Sequence, residues 1–175
     1  GQLEKSYDIE VIVKAAKYFR RNSQVKFVIA GNGSKFNKVK SDIENLDNIF
    51  LTGWLNKIEI YALLKLSNVG LATYSSSALQ TLPYKPFEYM SAGLPILSSL
   101  KGEFKHIIEK HDFGKTYESS NFDSFIHNIS WFIINKNILK DLGDNGHKLY
   151  NKHYSSNMVN KNIIKHIKKI VNDSK

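Results

Sequence analysis

Short apolar runs that end in glycine or small polar residues alternate with amphipathic segments along most of this chain, and few architectures accept that order. The run VKFVIA at 25–30 is apolar except for Lys26 and is closed by Gly31-Asn32-Gly33. A nearly continuous apolar run predicts a strand buried on both faces, as in a parallel sheet, and the glycines predict a tight turn after it. The cycle recurs at Ile49 to Thr52, closed by Gly53, and at Val69 to Thr73, Leu94 to Ser98 and Gly114 to Tyr117. Helical spacing fills the intervals. Residues 8–21 place Ile9, Ile12, Val13 and Ala16 on one face, with Ser6 in the N-cap region. Residues 35–46 read as a polar surface helix and 57–67 as a helix with Ile58, Ala62 and Leu63 inward. A further helix runs from about Pro86 to a C-cap at Gly93, and another covers 102–110. Strand–helix alternation of this kind predicts an α/β fold, a parallel sheet flanked by helices on both faces.

The last third departs from the pattern. Residues 121–134 carry Phe122, Phe125, Ile126, Ile129, Phe132 and Ile133 as a helical stripe that starts at Asn121. Residues 136–152 and 156–171 predict two more helices, the last with Val159, Ile163, Ile167 and Ile170 on one side and lysines on the other. No repeat or linker divides the chain, so residues 1–175 read as a single domain with a helical part at 121–175. The composition, 42% hydrophobic and 23% charged, is that of a globular protein. There is no cysteine, which excludes thiolate metal sites and a cysteine nucleophile. No apolar run approaches the roughly 20 residues needed to span a bilayer, and GQLEKSYD is not a signal peptide. A cytoplasmic location is therefore expected.

The net charge is +9, and nearly all the cations are lysine; the only arginines are Arg20 and Arg21. Such a balance favours anionic partners, although a lysine- and asparagine-rich composition produces it equally well. Nucleic acid is not expected, because the lysines are scattered and no recognition element is present. In open parallel sheets ligands sit outside the carboxyl ends of the strands. Those ends are Gly31-Asn32-Gly33, Gly53-Trp54, Thr73-Tyr74-Ser75 and Ser98-Ser99, and they should line one crevice. Gly31-Asn32-Gly33 is not a dinucleotide fingerprint, since Phe36 stands where the third glycine is needed. No phosphate loop, GxSxG elbow or DxD pair occurs, and the six histidines lack the spacing of a helical metal pair. No metal site is expected.

The most informative segment is LQTLPYKPFEYMSAGLPILSS at 79–99. A polar loop leads into a helix at the carboxyl edge of the sheet, with Lys85 and Glu88 at i, i+3. This pair is either a solvated ion pair or part of a nucleotide site. In the second reading the free N–H groups of the first turn and Lys85 would face a pyrophosphate. Glu88 would then accept hydrogen bonds from two ribose hydroxyls.

Here the sequence resembles the carboxyl-terminal half of GT-B glycosyltransferases. It is similar to the large retaining family that includes glycogen and sucrose synthases and many bacterial capsule and lipopolysaccharide sugar transferases. The marks run in family order over nearly the whole chain: GQLEKSYDIEVIVKAA, VIAGNG, IFLTGWL, NVGLATY, LPYKPFEYMSAGLPILSS, Gly102-Glu103 and FGKTY. The resemblance implies a Rossmann-like donor-binding domain with about five remaining parallel strands and extra carboxyl-terminal helices. It also implies roles. Glu88 matches the second glutamate of a paired-glutamate motif and would bind the donor ribose. Lys85 would lie near the phosphates, with the backbone of Leu82, Pro83 and Tyr84 facing phosphate and sugar. Gly53 and Trp54 fall where the nucleobase rests, Gly31 ends a strand at the same edge, and Gly1 falls in a turn facing the pyrophosphate. No cofactor is required beyond the nucleotide-sugar donor, with a UDP-sugar suggested by the subgroup that assembles capsule and O-antigen.

Three departures qualify the resemblance. Gln80 replaces the motif's first glutamate, which contacts the transferred sugar. Gln2 stands in place of a common arginine, and Lys5 only loosely matches a lysine. The acceptor-binding domain is missing, and the chain begins at the glycine that should follow a central first strand. A chain of this extent is expected to bind donor weakly and to transfer nothing alone. A nucleotide-sugar epimerase domain and a non-catalytic subunit of a split transferase share these features. Lys161, Lys165, Lys168 and Lys169 form either a solvated face or a peripheral contact with the inner face of the plasma membrane. In the family the last helix often crosses back to the other domain.

Overall fold

The structure, a computed structural model, describes residues 2–78 and 82–173. The expected alternation is present. Helix α1 (Ile9–Tyr18) precedes β1 (Phe27–Ala30), α2 (Phe36–Asp42) and β2 (Ile49–Gly53). Then come α3 (Lys57–Leu66), β3 (Gly70–Ala72), α4 (Tyr84–Ala92), β4 (Ile96–Ser98), α5 (Glu103–His111) and β5 (Gly114–Thr116). Helices α6 (Phe122–Ile134), α7 (Leu139–Leu149) and α8 (Ser156–Asp173) form the carboxyl-terminal part. The helix read at 136–152 is realised as a 3-10 turn, α7 and a π-helical turn at Tyr150–Tyr154.

All strand pairs are parallel, but they form two sheets rather than one: β1–β2, and β3–β4–β5. Phe27 stands opposite Ile49 in the first, while Gly70, Ile96 and Gly114 are in register across the second. Both faces of the larger sheet are covered. Ile96 and Leu97 of β4 are both completely buried, yet they point into different clusters. Leu97 joins Ile12, Phe27, Ile29, Phe125 and Phe132, whereas Ile96 joins Met90, Phe104, Ile108 and Phe113. Adjacent residues of a strand point to opposite faces, so the continuous apolar run on β4 follows from this double burial.

Local chemistry sets the helix ends, with some corrections to the sequence reading. Asp8, not Ser6, caps α1 by accepting from the Val11 N–H. Asn121 caps α6 by accepting from the Ser124 N–H, as the sequence indicates. Helix α4 starts at Tyr84, two residues before Pro86. First-turn N–H groups have no helical acceptor, so proline is accepted there as well as at the opening position. Gly93 ends α4 at φ 73°, the left-handed conformation that glycine adopts without strain. Helix α3 is the clearest miss: Ile58 is 80% exposed, Ala62 is exposed, and Leu63 is only half-buried. The α8 stripe has the expected spacing, but Val159, Ile163, Ile167 and Ile170 are 39–54% exposed.

Candidate active site at the carboxyl ends of the strands

The carboxyl ends of the strands are organised around the segment before α1. Leu3 N–H donates to the Asn32 carbonyl after β1, and Asp8 N–H donates to the Thr73 carbonyl after β3. Ser75 N–H donates to the Ser6 carbonyl. Residues 2–8 therefore stitch the carboxyl end of one sheet to that of the other. The turn after β1 fits closely beneath them. Gly33 has φ 153°, and a Cβ there would come within 2.8 Å of the Leu3 backbone. Glu4 accepts from both the N–H and the hydroxyl of Ser34, which holds its carboxyl below the usual carboxylate range. Gly31 N–H donates to the Gly53 carbonyl at 2.7 Å, joining the ends of β1 and β2. Gly53 has φ 74° and opens onto empty space, and Trp54 beside it is 71% exposed.

Tyr7 is the hub. Its ring centroid is 5.0 Å from that of buried Tyr74, and the Lys85 ammonium lies 4.2 Å from the Tyr7 ring. On the backbone side the Lys35 ammonium donates to the Tyr7 carbonyl at 3.2 Å. Two cations thus converge on one tyrosine. Lys85 is half-buried, and no carboxylate lies within ion-pair distance of it among the described residues. Desolvation pulls its ammonium below the ordinary lysine value, and nearby Glu88 partly restores it.

Lys85 occupies the first turn of α4, whose N-cap residue Pro83 provides no side-chain cap. Pro86 has no N–H, so the backbone N–H groups of Tyr84 and Lys85 remain as donors without helical acceptors. Pro83 directs the chain into them in an extended conformation, with ψ 160°. Glu88 is exposed one turn further on. The arrangement offers two amides, a helix dipole and a desolvated cation to an anion, with a carboxylate beside them for hydroxyl groups.

The sequence-level candidates separate accordingly. Lys85, Glu88, Leu82, Pro83 and Tyr84 lie at the start of α4, while Gly31, Gly53 and Trp54 lie at the ends of β1 and β2. The Tyr7–Lys35 contact links the two groups. Gly1 and Gln80 lie outside the described residues. Sequence reasoning missed Tyr7 and Lys35; the only signal for Lys35 was its place just after the Gly31-Asn32-Gly33 turn. A surface depression of about 620 Å³ lined by Arg20, Arg21, Glu44 and Asp47 is elsewhere, where β1 and β2 begin. No group of acidic and histidine side chains among the described residues could hold a metal ion.

Several solved structures share this fold. The chain superposes on a TarM from S. aureus, solved with fondaparinux, α-GlcNAc-glycerol and UDP, at TM-score 0.79 and 20% identity, over 94% of this chain and 34% of that one. It superposes on Anabaena HepE in complex with UDP at TM-score 0.81 and 13% identity, over 97% of this chain and 47% of that one. The C-terminal domain of a group 1 glycosyl transferase (LpcC) from Francisella tularensis matches at TM-score 0.75 and 16% identity, over 89% of this chain and 84% of that domain. The fold is therefore the Rossmann-like half of a GT-B glycosyltransferase. Residues 1–149 match the family described as glycosyl transferases group 1, and the chain belongs to it. An α-monoglucosyldiacylglycerol synthase from Streptococcus pneumoniae is 27% identical over 110 residues, 61% of this chain and 24% of that protein. The chain thus spans about a quarter of that curated relative. No helix among the described residues is long and apolar enough to cross a membrane.

Proposed function

We propose that this chain is the donor half of a retaining glycosyltransferase. It holds a nucleotide-sugar at the carboxyl ends of its strands, for transfer to a cell-surface polysaccharide or lipid-linked acceptor. The observation that carries the reading is Lys85. It is a half-buried cation with no carboxylate within ion-pair distance among the described residues, set on Tyr7 in the first turn of α4. A desolvated cation beside two free amides suits a diphosphate. As the anomeric bond breaks, negative charge grows on the leaving diphosphate, and preorganised donors there lower the barrier without any proton transfer from the protein. Glu88 is the acceptor for the ribose hydroxyls, and Trp54 is the exposed aromatic surface for the base. UDP in the TarM and HepE structures supports a uridine donor. The acceptor and the second wall of the cleft belong to a part of the enzyme that this chain does not contain.

Calorimetry with UDP, GDP and ADP tests this. Wild type is expected to bind UDP selectively, and Glu88→Ala to lose about tenfold to a hundredfold in affinity, as for a hydrogen bond to a charged group. Equal binding of all three diphosphates by wild type and variant would defeat the assignment. Sugar transfer by the isolated chain would defeat the division of labour.

A further inference from the structure

Tyr7 holds two cations at once, and the proposed donor contacts use only Lys85. The residues on either side of Tyr7 bond toward the chain after β3: Ser75 N–H donates to the Ser6 carbonyl and Asp8 N–H to the Thr73 carbonyl. Tyr7 and Tyr74 between them form an antiparallel, non-hydrogen-bonded pair, the kind in which side chains stand closest. The Tyr7 ring accordingly lies against the buried ring of Tyr74, whose N–H and carbonyl are both held by the Ser99 hydroxyl. The Tyr7 carbonyl turns to the opposite side, where the Lys35 ammonium donates to it.

The ring and the carbonyl of one residue thus fix the ammonium groups of two lysines from different elements, Lys85 of α4 and Lys35 just before α2. A lysine over a ring is not distinctive in itself, since Lys65 lies over Tyr61 and Lys115 over Trp131. Among the described residues only Tyr7 holds one ammonium on its ring and another on its carbonyl. Two like charges brought to one residue repel, and a shared anion relieves the repulsion. Glu4 and Glu88 act on the lysines only at longer range, and among the described residues neither forms an ion pair with Lys35 or Lys85. The Tyr7 carbonyl takes one of the three Lys35 donors, and the ring contact leaves those of Lys85 without an oxygen acceptor among the described residues. We propose that Tyr7 is a positioning residue that presents Lys85 and Lys35 together, and that Lys35 is a second cationic contact for the donor. This rests on the donor-site reading and deepens it. One cation serves any phosphate, whereas two preset on one well-held residue select a diphosphate over a monophosphate.

Calorimetry with UDP and UMP at constant ionic strength tests this on wild type, Lys35→Gln, Tyr7→Leu and Tyr7→Phe. Lys35→Gln is expected to lose about tenfold in affinity for UDP and less than about threefold for UMP, as for one charge-assisted hydrogen bond made only to the diphosphate. Tyr7→Leu is expected to show the same selective loss, and Tyr7→Phe, which keeps the ring and the carbonyl, to recover most of it. Wild-type affinity of Lys35→Gln for UDP overturns the inference, and so does an equal loss for both nucleotides. Equal affinities of Tyr7→Leu and Tyr7→Phe overturn the positioning role of the ring. A proton spectrum of the unliganded wild type needs neither a nucleotide nor a folded variant. The ε-methylene protons of Lys85 are expected upfield of those of exposed lysines, shifted by the Tyr7 ring current, and ordinary shifts overturn the seating of Lys85. Absence of UDP binding by wild type would defeat the donor-site reading and this inference with it. UDP binding that needs Glu88 but not Lys35 would defeat only the roles given to Tyr7 and Lys35.

Discussion

Lys85, the proposed diphosphate contact, differs in kind from the surface lysines. Lys38 and Lys140 reach Asp42 and Asp144 at 2.7 and 2.6 Å on open helix surface, and their ammonium groups sit above the ordinary lysine value. Lys85 is desolvated instead and sits below it, with burial the larger cause and Glu88 opposing. In the folded chain the charged form of Lys85 is penalised, so it gives up its proton at lower pH than an exposed lysine does. Diphosphate affinity is expected to hold through neutral pH and to fall as pH rises through that lowered pKa, before the ordinary lysine value of 10.5 is reached. Lys85→Arg should move the fall to higher pH, because a guanidinium stays charged. The ligand titrates identically with both proteins, so the displacement belongs to residue 85; coincident profiles from calorimetry would remove Lys85 from the site. The Lys85–Glu88 pair is legible in sequence because both residues lie on one helix. The Lys35–Tyr7 contact is not, because it spans 28 positions and depends on how residues 2–8 cross the sheet ends.

The helices divide by what covers them. Helix α6 is legible because its apolar stripe and Asn121 cap agree with its burial: Phe125, Ile126, Ile129 and Phe132 are all buried. Helix α3 has an Asn56–Glu59 capping box that fixes its start, yet no residue of it is buried. A cap determines where a helix begins, and a helical period identifies a face, but neither supplies an element to pack on that face. Helix α7 is the reverse case. Its glycines at 143 and 146 lower helix propensity, yet both are buried between Leu142 and Leu149. A Cβ at Gly143 would run into the Gly93 carbonyl at the end of α4, whereas one at Gly146 would meet the Phe113 Cβ at 3.2 Å and its ring at 3.4 Å. Propensity alone makes either alanine stabilising by about 1 kcal/mol. Backbone collision outweighs that gain at the first site, so Gly143→Ala is expected to cost about 2–4 kcal/mol. Gly146→Ala should stay within about 1 kcal/mol of wild type, because the Phe113 side chain has to give only slightly and no backbone stands in the way. Urea unfolding of both variants checks the contrast; a stabilised Gly143→Ala protein would mean that α7 is not seated on the α4 terminus.

At the scale of the molecule the sequence announces the alternation, the parallel pairing and the edge at which the proposed site lies. It does not announce that the strands fall into two sheets. Each run of apolar residues is equally compatible with one ladder or two, and only the hydrogen bonds on either side of residues 2–8 decide. The division has an energetic consequence. Strand β4 is paired on both edges and contributes Ile96 and Leu97, fully buried, to separate clusters. Strand β1 shares a ladder with β2 alone among the described strands and leaves Val28 part exposed. Among the described residues no ladder connects the two sheets, and the backbone bonds of residues 2–8 join them at their carboxyl ends. Local opening follows such weak seams, since the cost of opening scales with the buried contacts and backbone bonds that are lost. The β1–β2 sheet with α2 is therefore expected to open below the urea concentration at which β3–β4–β5 opens. In native-state hydrogen exchange, Ile29 and Phe50 should merge with the global unfolding isotherm later than Ile96 and Leu97, after a separate opening of lower free energy. A single isotherm shared by all four amides would mean that the clusters on the two faces of β4 couple the sheets more strongly than their separate ladders imply.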